Sequence, residues 1–362
     1  MSEKKIVCVI TCYKNPDYIR AKSIRAALSN RKDTEVVVVK NSKKGIVRYF
    51  EVIAKVVSVR FKRHPDIYIL TFRGYELLPI IRLITFGKKF VFDEFINLVE
   101  WVVYEHNKVR PNSFIYRILY IWYRFWLKSS DLILADTVSH AKYSSKLMKI
   151  PMKKYLSLIV STDEETFKAT KAKQSKGLFK VFYYGSMLPL HGVDIVIEAM
   201  KLLRAKNISL TLIGGDDKTK QMIEDAIESG SKIEYKKWVN FEELPKYIQD
   251  SNVCLAGPFG GTVQSRYVIT GKAYQFLQMK RPIIIGKNQE SHIFKDKQNA
   301  LIVDQASAKA LAKTIEWAYD NQKKLAGIGE AGYQLYQEKL SNKVLGVQIE
   351  ELFKRLGFVE NR

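Results

Sequence analysis

The sequence predicts an α/β protein built from two doubly wound parallel sheets. Short apolar runs of strand length alternate with segments of helical period along almost the whole 362-residue chain. In globular domains that alternation builds a parallel sheet with helices on both faces. The pattern breaks once, at Thr166 to Gly177, where the chain is polar, rich in Lys and without apolar periodicity. A break near the middle of a chain of this length is expected of about two domains.

The first series places strands at Lys5–Thr11, Glu35–Lys40, Ile67–Thr71, Lys89–Phe92, Leu132–Ala135 and Leu156–Val160. The second places them at Phe179–Tyr184, Ser209–Ile213, Ile233–Lys236, Val253–Ala256, Ile283–Ile285 and Ala300–Val303. A tail helix is expected from about Ser341 to Leu356, where Val344, Val347, Ile349, Leu352, Phe353 and Leu356 fall at helical spacing. The expected division is residues 1–163 with about 343–362 as the first domain, 164–178 as a linker and 179–342 as the second domain.

Composition narrows the function classes. Cys8, Cys12 and Cys254 form no C-x-x-C pair and read as small buried residues in a reducing compartment. The start, MSEKKIVCVITC, is too short and strand-like for a signal peptide, and no apolar run reaches the ~18 residues of a membrane span. A cytoplasmic protein is the expectation. The net charge is +23, and residues 1–160 carry 30 Lys and Arg against 13 Asp and Glu. That excess fits an anionic membrane surface, a nucleic acid or merely a solvated basic face.

Two glycine-bearing loops in the second half carry the chemistry. In one, a strand ends at Gly185 and Gly185-Ser-Met-Leu-Pro-Leu-His-Gly192 leads into a helix. In the other, a strand runs into Gly257-Pro-Phe-Gly-Gly-Thr262, followed by a helix from Gly271 to Met279. Glycines let backbone approach a ligand closely, and a helix start favours anions. Thr262, Arg266 and Lys272 add a hydroxyl and two cations beside the second loop. A plain β–α turn is the competing reading of either loop alone. Two such units in one half of a chain can face one ligand across a sheet's switch point.

Together these segments resemble the C-terminal domain of retaining GT-B glycosyltransferases of family 4. The subgroup they resemble has a PLHG loop and a K-x-Y-Q helix, here Pro189-Leu-His-Gly192 and Lys272-Ala-Tyr-Gln275. The resemblance implies two Rossmann-like domains facing across a cleft, with the last helix crossing back to the first. It implies a nucleotide-sugar donor held by the second domain, at Gly185, Ser186, Gly192, Gly214, Trp238, Gly260, Thr262, Arg266, Lys272 and Gln275. Many relatives have Arg and Lys where this chain has Ser186 and His191, and a carboxylate where it has Gln275. Arg266 and Lys272 are then the expected working cations, and His191 a candidate catalytic group if a bound diphosphate raises its pKa. Trp238 can stack on a base or pack against the domain wall.

The first domain is expected to hold the acceptor. Phe92-Asp-Glu-Phe-Ile-Asn97 resembles the subgroup's F-D-x-F-I-S, which makes Asp93 a candidate base or helix cap and Glu100 a second acidic candidate. Arg73 and Asp136 end strands and are expected to line the cleft, with Thr137 capping the next helix. Retention follows from the resemblance. No D-x-D lies in a plausible loop, so no cofactor and no metal are expected.

The segment from Pro111 to Lys128 stands apart. Arg110, Arg117, Arg124 and Lys128 fall on one narrow stripe of a helix otherwise rich in Phe, Tyr, Trp, Ile and Leu. Such a helix can lie in a membrane interface, with Arg117, Trp122, Arg124, Trp126 and Lys128 at the headgroups, or it can be a core helix with one wet edge. The combined expectation is a glycosyltransferase acting on a lipid-linked or cell-envelope glycan, peripheral at the cytoplasmic face. A non-transferring GT-B protein (a pseudoenzyme subunit or a sugar epimerase) and a nucleic-acid-binding protein are the alternatives. No RNP or OB signature supports the last.

Overall fold

A computed structural model describes residues 4–170 and 177–358. The chain forms two compact units, Met1–Ser161 with Asn342–Arg362, and Thr162–Ser341.

The first unit runs β1 (Lys5–Thr11), α1 (Ile19–Ser29), β2 (Thr34–Lys40), α2 (Val47–Lys62), β3 (Ile67–Leu70), α3 (Leu78–Ile84), β4 (Lys89–Asp93), α4 (Phe114–Ser129), β5 (Leu132–Ala135), α5 (Val138–Met148) and β6 (Tyr155–Ser157). Its sheet has the order β2-β1-β3-β4-β5-β6, with every pair parallel. The strands read as apolar runs because helices bury them on both faces; Ile67, Tyr68, Ile69 and Leu70 are all fully buried.

The second unit runs β7 (Phe179–Tyr184), α6 (Val193–Leu202), β8 (Ile208–Ile213), α7 (Asp217–Glu228), β9 (Ile233–Lys236), α8 (Leu244–Gln249), β10 (Val253–Leu255), α9 (Gly271–Gln278), β11 (Ile283–Gly286), β12 (Leu301–Val303), α10 (Ala308–Asp320) and α11 (Gln322–Lys339). Its parallel sheet has the order β12-β11-β10-β7-β8-β9. The strand order therefore reverses between β7 and β10, the position where doubly wound sheets bind ligands.

The last helix, α12 (Asn342–Arg355), belongs to the first unit and packs on α1. Gln348 Oε1 accepts from Ile159 N–H (2.9 Å), and Arg355 donates to Tyr155 O (2.8 Å). Arg31 of the loop after α1 lies over the Phe353 ring at 4.3 Å.

Two expectations change. The run expected as a strand at Leu156–Val160 pairs only through Tyr155–Ser157. Leu158, Ile159 and Val160 are apolar because they are buried beyond the ladder. The segment expected as linker is partly tied down: Phe167 is buried against Phe241 (ring centroids 5.2 Å), and Tyr336 donates to Glu164 (2.8 Å). Residues 171–176 of that expected linker lie outside the described residues.

Candidate functional site

The switch point of the second unit brings both glycine loops together. Gly185 N–H donates to Ile213 O (3.0 Å) at the end of β8, and the loop closes with one helical turn, Pro189–His191, before α6. The loop after β10 lies directly against it. Gly260 N–H donates to Leu190 O (3.0 Å), and Phe259 N–H to His191 O (3.3 Å). A Cβ on Gly192 would lie 2.6 Å from Gly260 N, and one on Gly260 would lie 2.2 Å from Pro189 O. Gly192 also has a φ of 62°, in the left-handed region. The sequence suggested that these glycines admit a ligand to the backbone. The structure uses Gly192 and Gly260 first to let two loops touch, and Gly214 likewise packs against Gly185 O.

Lys272 lies in the first turn of α9 and is buried. Its Nζ stands 3.4 Å from His191 Nδ1 and 4.5 Å from the centroid of the Tyr183 ring. Burial lowers its pKa to about 7. The His191 pKa falls well below the ordinary imidazole value, through burial first and the Lys272 charge second. This changes the expectation for Lys272 as a fixed charge, whereas that for His191 was conditional on a neighbouring diphosphate. Without one, His191 is neutral and Lys272 is a titrating amine rather than a fixed charge. An anion placed beside them reverses both effects, since opposite charge favours the protonated forms.

The start of α9 lacks a side-chain N-cap. Thr270 precedes the helix, yet its hydroxyl donates to Ala256 O (2.7 Å), and no side chain caps the first turn. The leading backbone N–H groups therefore have no side-chain acceptor. Gln275 is buried one turn on, where Tyr184 donates its hydroxyl to Gln275 Oε1. That contact orients the amide and leaves its nitrogen as a donor. Thr262 Oγ1 accepts from Ser265 N–H (3.2 Å) and so braces the turn Gln264–Arg266. Arg266 and Ser186 are exposed at the rim. Trp238 is 73% exposed, so it is no core residue.

The first unit departs further from expectation. Asp93 ends β4 but is fully buried, and both of its oxygens accept from Arg20 (2.9 and 3.0 Å from Nε, 2.7 Å from Nη2). Arg20 also donates to Leu158 O (2.6 Å). Asp93 is thus neither a helix cap nor a free base. Glu100 is fully buried at the start of a π-helical turn, Glu100–Glu105, where its N–H donates to Asn97 Oδ1 (3.1 Å); it too is withdrawn from solvent. Asp136 accepts from His140 Nδ1 (2.7 Å) inside the protein. Burial alone would lower the His140 pKa, but the bond and charge of Asp136, with Glu94 and Glu100, raise it. Thr137 caps α5, as expected, by accepting from His140 N–H (3.1 Å). Arg73 has a φ of 65° and lies over the Trp101 ring at 5.1 Å.

Arg20, Tyr183 and Tyr184 were missed in the sequence. Arg20 falls one helical turn before Ile24, on the buried stripe of α1, and that placement was the available signal. The tyrosines are the last two residues of an apolar strand and carried no signal of their own.

The aromatic-basic helix is α4, and its two faces differ from the expectation. Phe114, Ile115, Ile118, Ile121 and Phe125 are exposed, whereas Tyr123 and Leu127 are buried. Arg124 turns inward and donates to Met148 O (2.8 Å) and Lys149 O (3.3 Å). Trp126 packs on the core. Arg124 and Trp126 are therefore structural, while Arg117 and Lys128 are exposed and Trp122 is 36% exposed.

A cavity of about 480 Å³ lies away from the glycine loops, along one face of β7–β9 and under Tyr247. Its lining mixes Lys180, Lys232, Glu234 and Asp250 and converges on no single chemistry. Among the described residues no group of His, Cys, Asp and Glu could hold a metal ion, and no helix is long and apolar enough to cross a membrane.

Comparison with known proteins agrees with this architecture. Residues 179–321 match the family model "Glycosyl transferases group 1". Among solved structures, HepE from Anabaena in complex with UDP-glucose superposes with a TM-score of 0.73 at 13% identity, covering 97% of this chain and 100% of that one. Sucrose-phosphate synthase from Thermosynechococcus elongatus gives 0.73 at 14% identity, covering 98% and 99%. A glycosyltransferase from Rickettsia africae gives 0.69 at 12%, covering 98% and 99%. A search of curated proteins found no match. The two parallel six-stranded sheets are those of the GT-B fold. With the family match to the second unit, they define the class of this protein as a glycosyltransferase.

Proposed function

We propose that the protein transfers a sugar, with retention of anomeric configuration, from a nucleoside-diphosphate sugar to a lipid-linked or cell-envelope acceptor. The observation that carries the donor reading is the buried Lys272 amine beside His191, between two interlocked glycine loops and an uncapped helix start. A diphosphate there receives backbone N–H groups and recharges Lys272, so the cation forms where leaving-group charge develops. Gln275, oriented by Tyr184, donates to a ribose hydroxyl. Arg266 supplies charge from the rim.

Retention is supported by the resemblance of the PLHG and K-x-Y-Q segments. It is also supported by the engagement of Asp93 with Arg20 and the burial of Glu100, which leave no free carboxylate nucleophile among these candidates. The leaving phosphate then helps deprotonate the acceptor on the same face, and neither a metal nor another cofactor takes part. The acceptor reading is supported by the exposed apolar face of α4 and the basic excess of residues 1–160. These favour peripheral attachment to an anionic, cytoplasmic membrane face.

Thermal melting of the full chain with a panel of UDP-, GDP- and ADP-sugars and with RNA tests the donor reading. Stabilisation by a nucleotide sugar is expected. Stabilisation by RNA alone would overturn it. Transfer to a lipid-linked acceptor, with the product anomer read by NMR, separates a transferase from a protein that binds donor without turnover.

A further inference from the structure

We propose that the first unit carries a phosphate-binding pocket between the loops after β1 and β2, separate from the donor loops, and that it takes a phosphate group borne by the acceptor. The pocket has a volume of about 410 Å³ and is lined by Tyr13, Lys14, Asn41, Lys43, Lys44, Gly45 and Arg48. That size falls in the ~300–1,000 Å³ range of small-ligand sites. Four of the seven lining residues are cations and none is a carboxylate.

The pocket is built rather than incidental. Asn41 is buried and ties the two loops together: its Oδ1 accepts from Tyr13 N–H (3.0 Å), and its amide donates to Tyr13 O and Lys43 O (both 3.1 Å). Glu51 fixes the second loop from below, accepting from Ser42 N–H (3.0 Å), Lys43 N–H (2.8 Å) and Lys55 Nζ (2.6 Å). Its charge is thereby committed to the loop backbone and to Lys55.

The cations above it are not committed. Lys14, Lys43 and Lys44 are exposed and form no ion pair among the described residues. Arg48 is half-buried and donates from Nη2 to Tyr49 (2.8 Å), with the Cys12 thiol and the Glu76 charge nearby, while its enclosed Nε makes no hydrogen bond within the protein. An enclosed N–H without an acceptor is unfavourable, and a tetrahedral oxyanion satisfies it while drawing in the lysines.

The surroundings point to the source. Ile46, Val47 and Phe50 are 70%, 54% and 67% exposed, and they lie next to the lining residues Gly45 and Arg48 in the chain. Apolar side chains beside a cationic pocket match a phosphate whose other substituent is a lipid. This last step rests on the acceptor reading above; the phosphate chemistry of the pocket does not.

Calorimetric titration of the full chain with inorganic diphosphate tests the site, using wild type, the double variant Lys43→Ala/Lys44→Ala, and Lys272→Ala. The lysines are exposed, so the double variant is expected to keep the wild-type melting temperature. It is expected to weaken one class of diphosphate binding by about tenfold or more, with Lys272→Ala leaving that class intact. If all diphosphate binding disappears in Lys272→Ala, or none changes in the double variant, the pocket is overturned while the donor reading stands. If the donor panel fails but the lysine-dependent binding persists, the reverse holds. Vesicles of phosphatidylcholine with and without phosphatidic acid then separate the sources. Lysine-dependent competition by phosphatidic acid assigns a lipid phosphate, and competition by soluble phosphomonoesters alone assigns a soluble one; both outcomes support the site.

Discussion

Lys272 Nζ lies 3.4 Å from His191 Nδ1, and burial brings the lysine pKa to about 7. Near neutral pH the imidazole is therefore neutral and the amine only partly protonated. The site stores an unmet demand for an anion. It lies in the second unit, whose residues 179–321 match the family model.

That demand predicts proton uptake on donor binding. In the free protein Lys272 gives up its proton as pH rises through about 7, whereas beside a diphosphate its pKa is higher. Affinity for a nucleotide sugar is then greatest below pH 7 and falls as pH rises above it. The sign for stability is opposite. The unfolded chain keeps this proton up to its ordinary value of 10.5, so between the two values unfolding takes up a proton and the protein, without added donor, gains stability as pH rises. Calorimetry in buffers of different ionisation enthalpy reads the uptake. Lys272→Arg should remove it, and Lys272→Ala should weaken donor binding by roughly 10- to 100-fold, the worth of a charge-assisted hydrogen bond.

The contact between the two loops predicts a cost for any side chain at Gly260. Gly260→Ala puts a methyl 2.2 Å from Pro189 O, backbone against backbone, where no rotamer relieves the clash. A loss of about 1–3 kcal/mol in stability is expected, as for other locally strained sites, together with weaker donor binding. Gly346→Ala has open space at its Cβ and serves as the control. Chemical denaturation of both variants checks it.

Asp93 predicts a different phenotype from a catalytic residue. Because Arg20 and Asp93 are both wholly buried, removing one charge strands the other. Asp93→Asn and Arg20→Met should each cost about 3–5 kcal/mol, while replacing both together with apolar residues should cost much less. A double-mutant cycle by urea denaturation measures this. A single variant of normal stability that has lost only turnover would instead restore Asp93 as a catalytic group.

The faces of α4 predict which changes affect membranes. Ile118→Asp with Ile121→Asp should abolish sedimentation with anionic vesicles at moderate salt without changing the fold, since both residues are exposed. Arg124→Ala should leave vesicle binding unchanged and lower the melting temperature, because its guanidinium holds the Met148 and Lys149 carbonyls.

Much of the fold was legible because parallel strands are buried on both faces and so read as uninterrupted apolar runs. Thr137 was legible because it occupies a strand-to-helix junction, and the place of Lys272 because Gly271 opens a helix, in both cases where local sequence fixes position. What stayed hidden depends on distant partners. Nothing near Asp93 announces Arg20, which is 73 residues away. The spacing in α4 shows that the helix has two faces, but not that Arg124 and Trp126 belong to the inner one. The glycines were legible as close-approach sites, but only the fold shows that what approaches Gly192 is the other loop.

Hydrogen–deuterium exchange of the full chain, with and without a saturating nucleoside diphosphate, tests the central claim most directly. The account predicts slowed exchange in residues 185–192 and 257–275, with any slowing in the first unit confined to the phosphate-pocket loops at residues 13–14 and 41–48. Protection absent from both loops, or confined to the first unit, would contradict it.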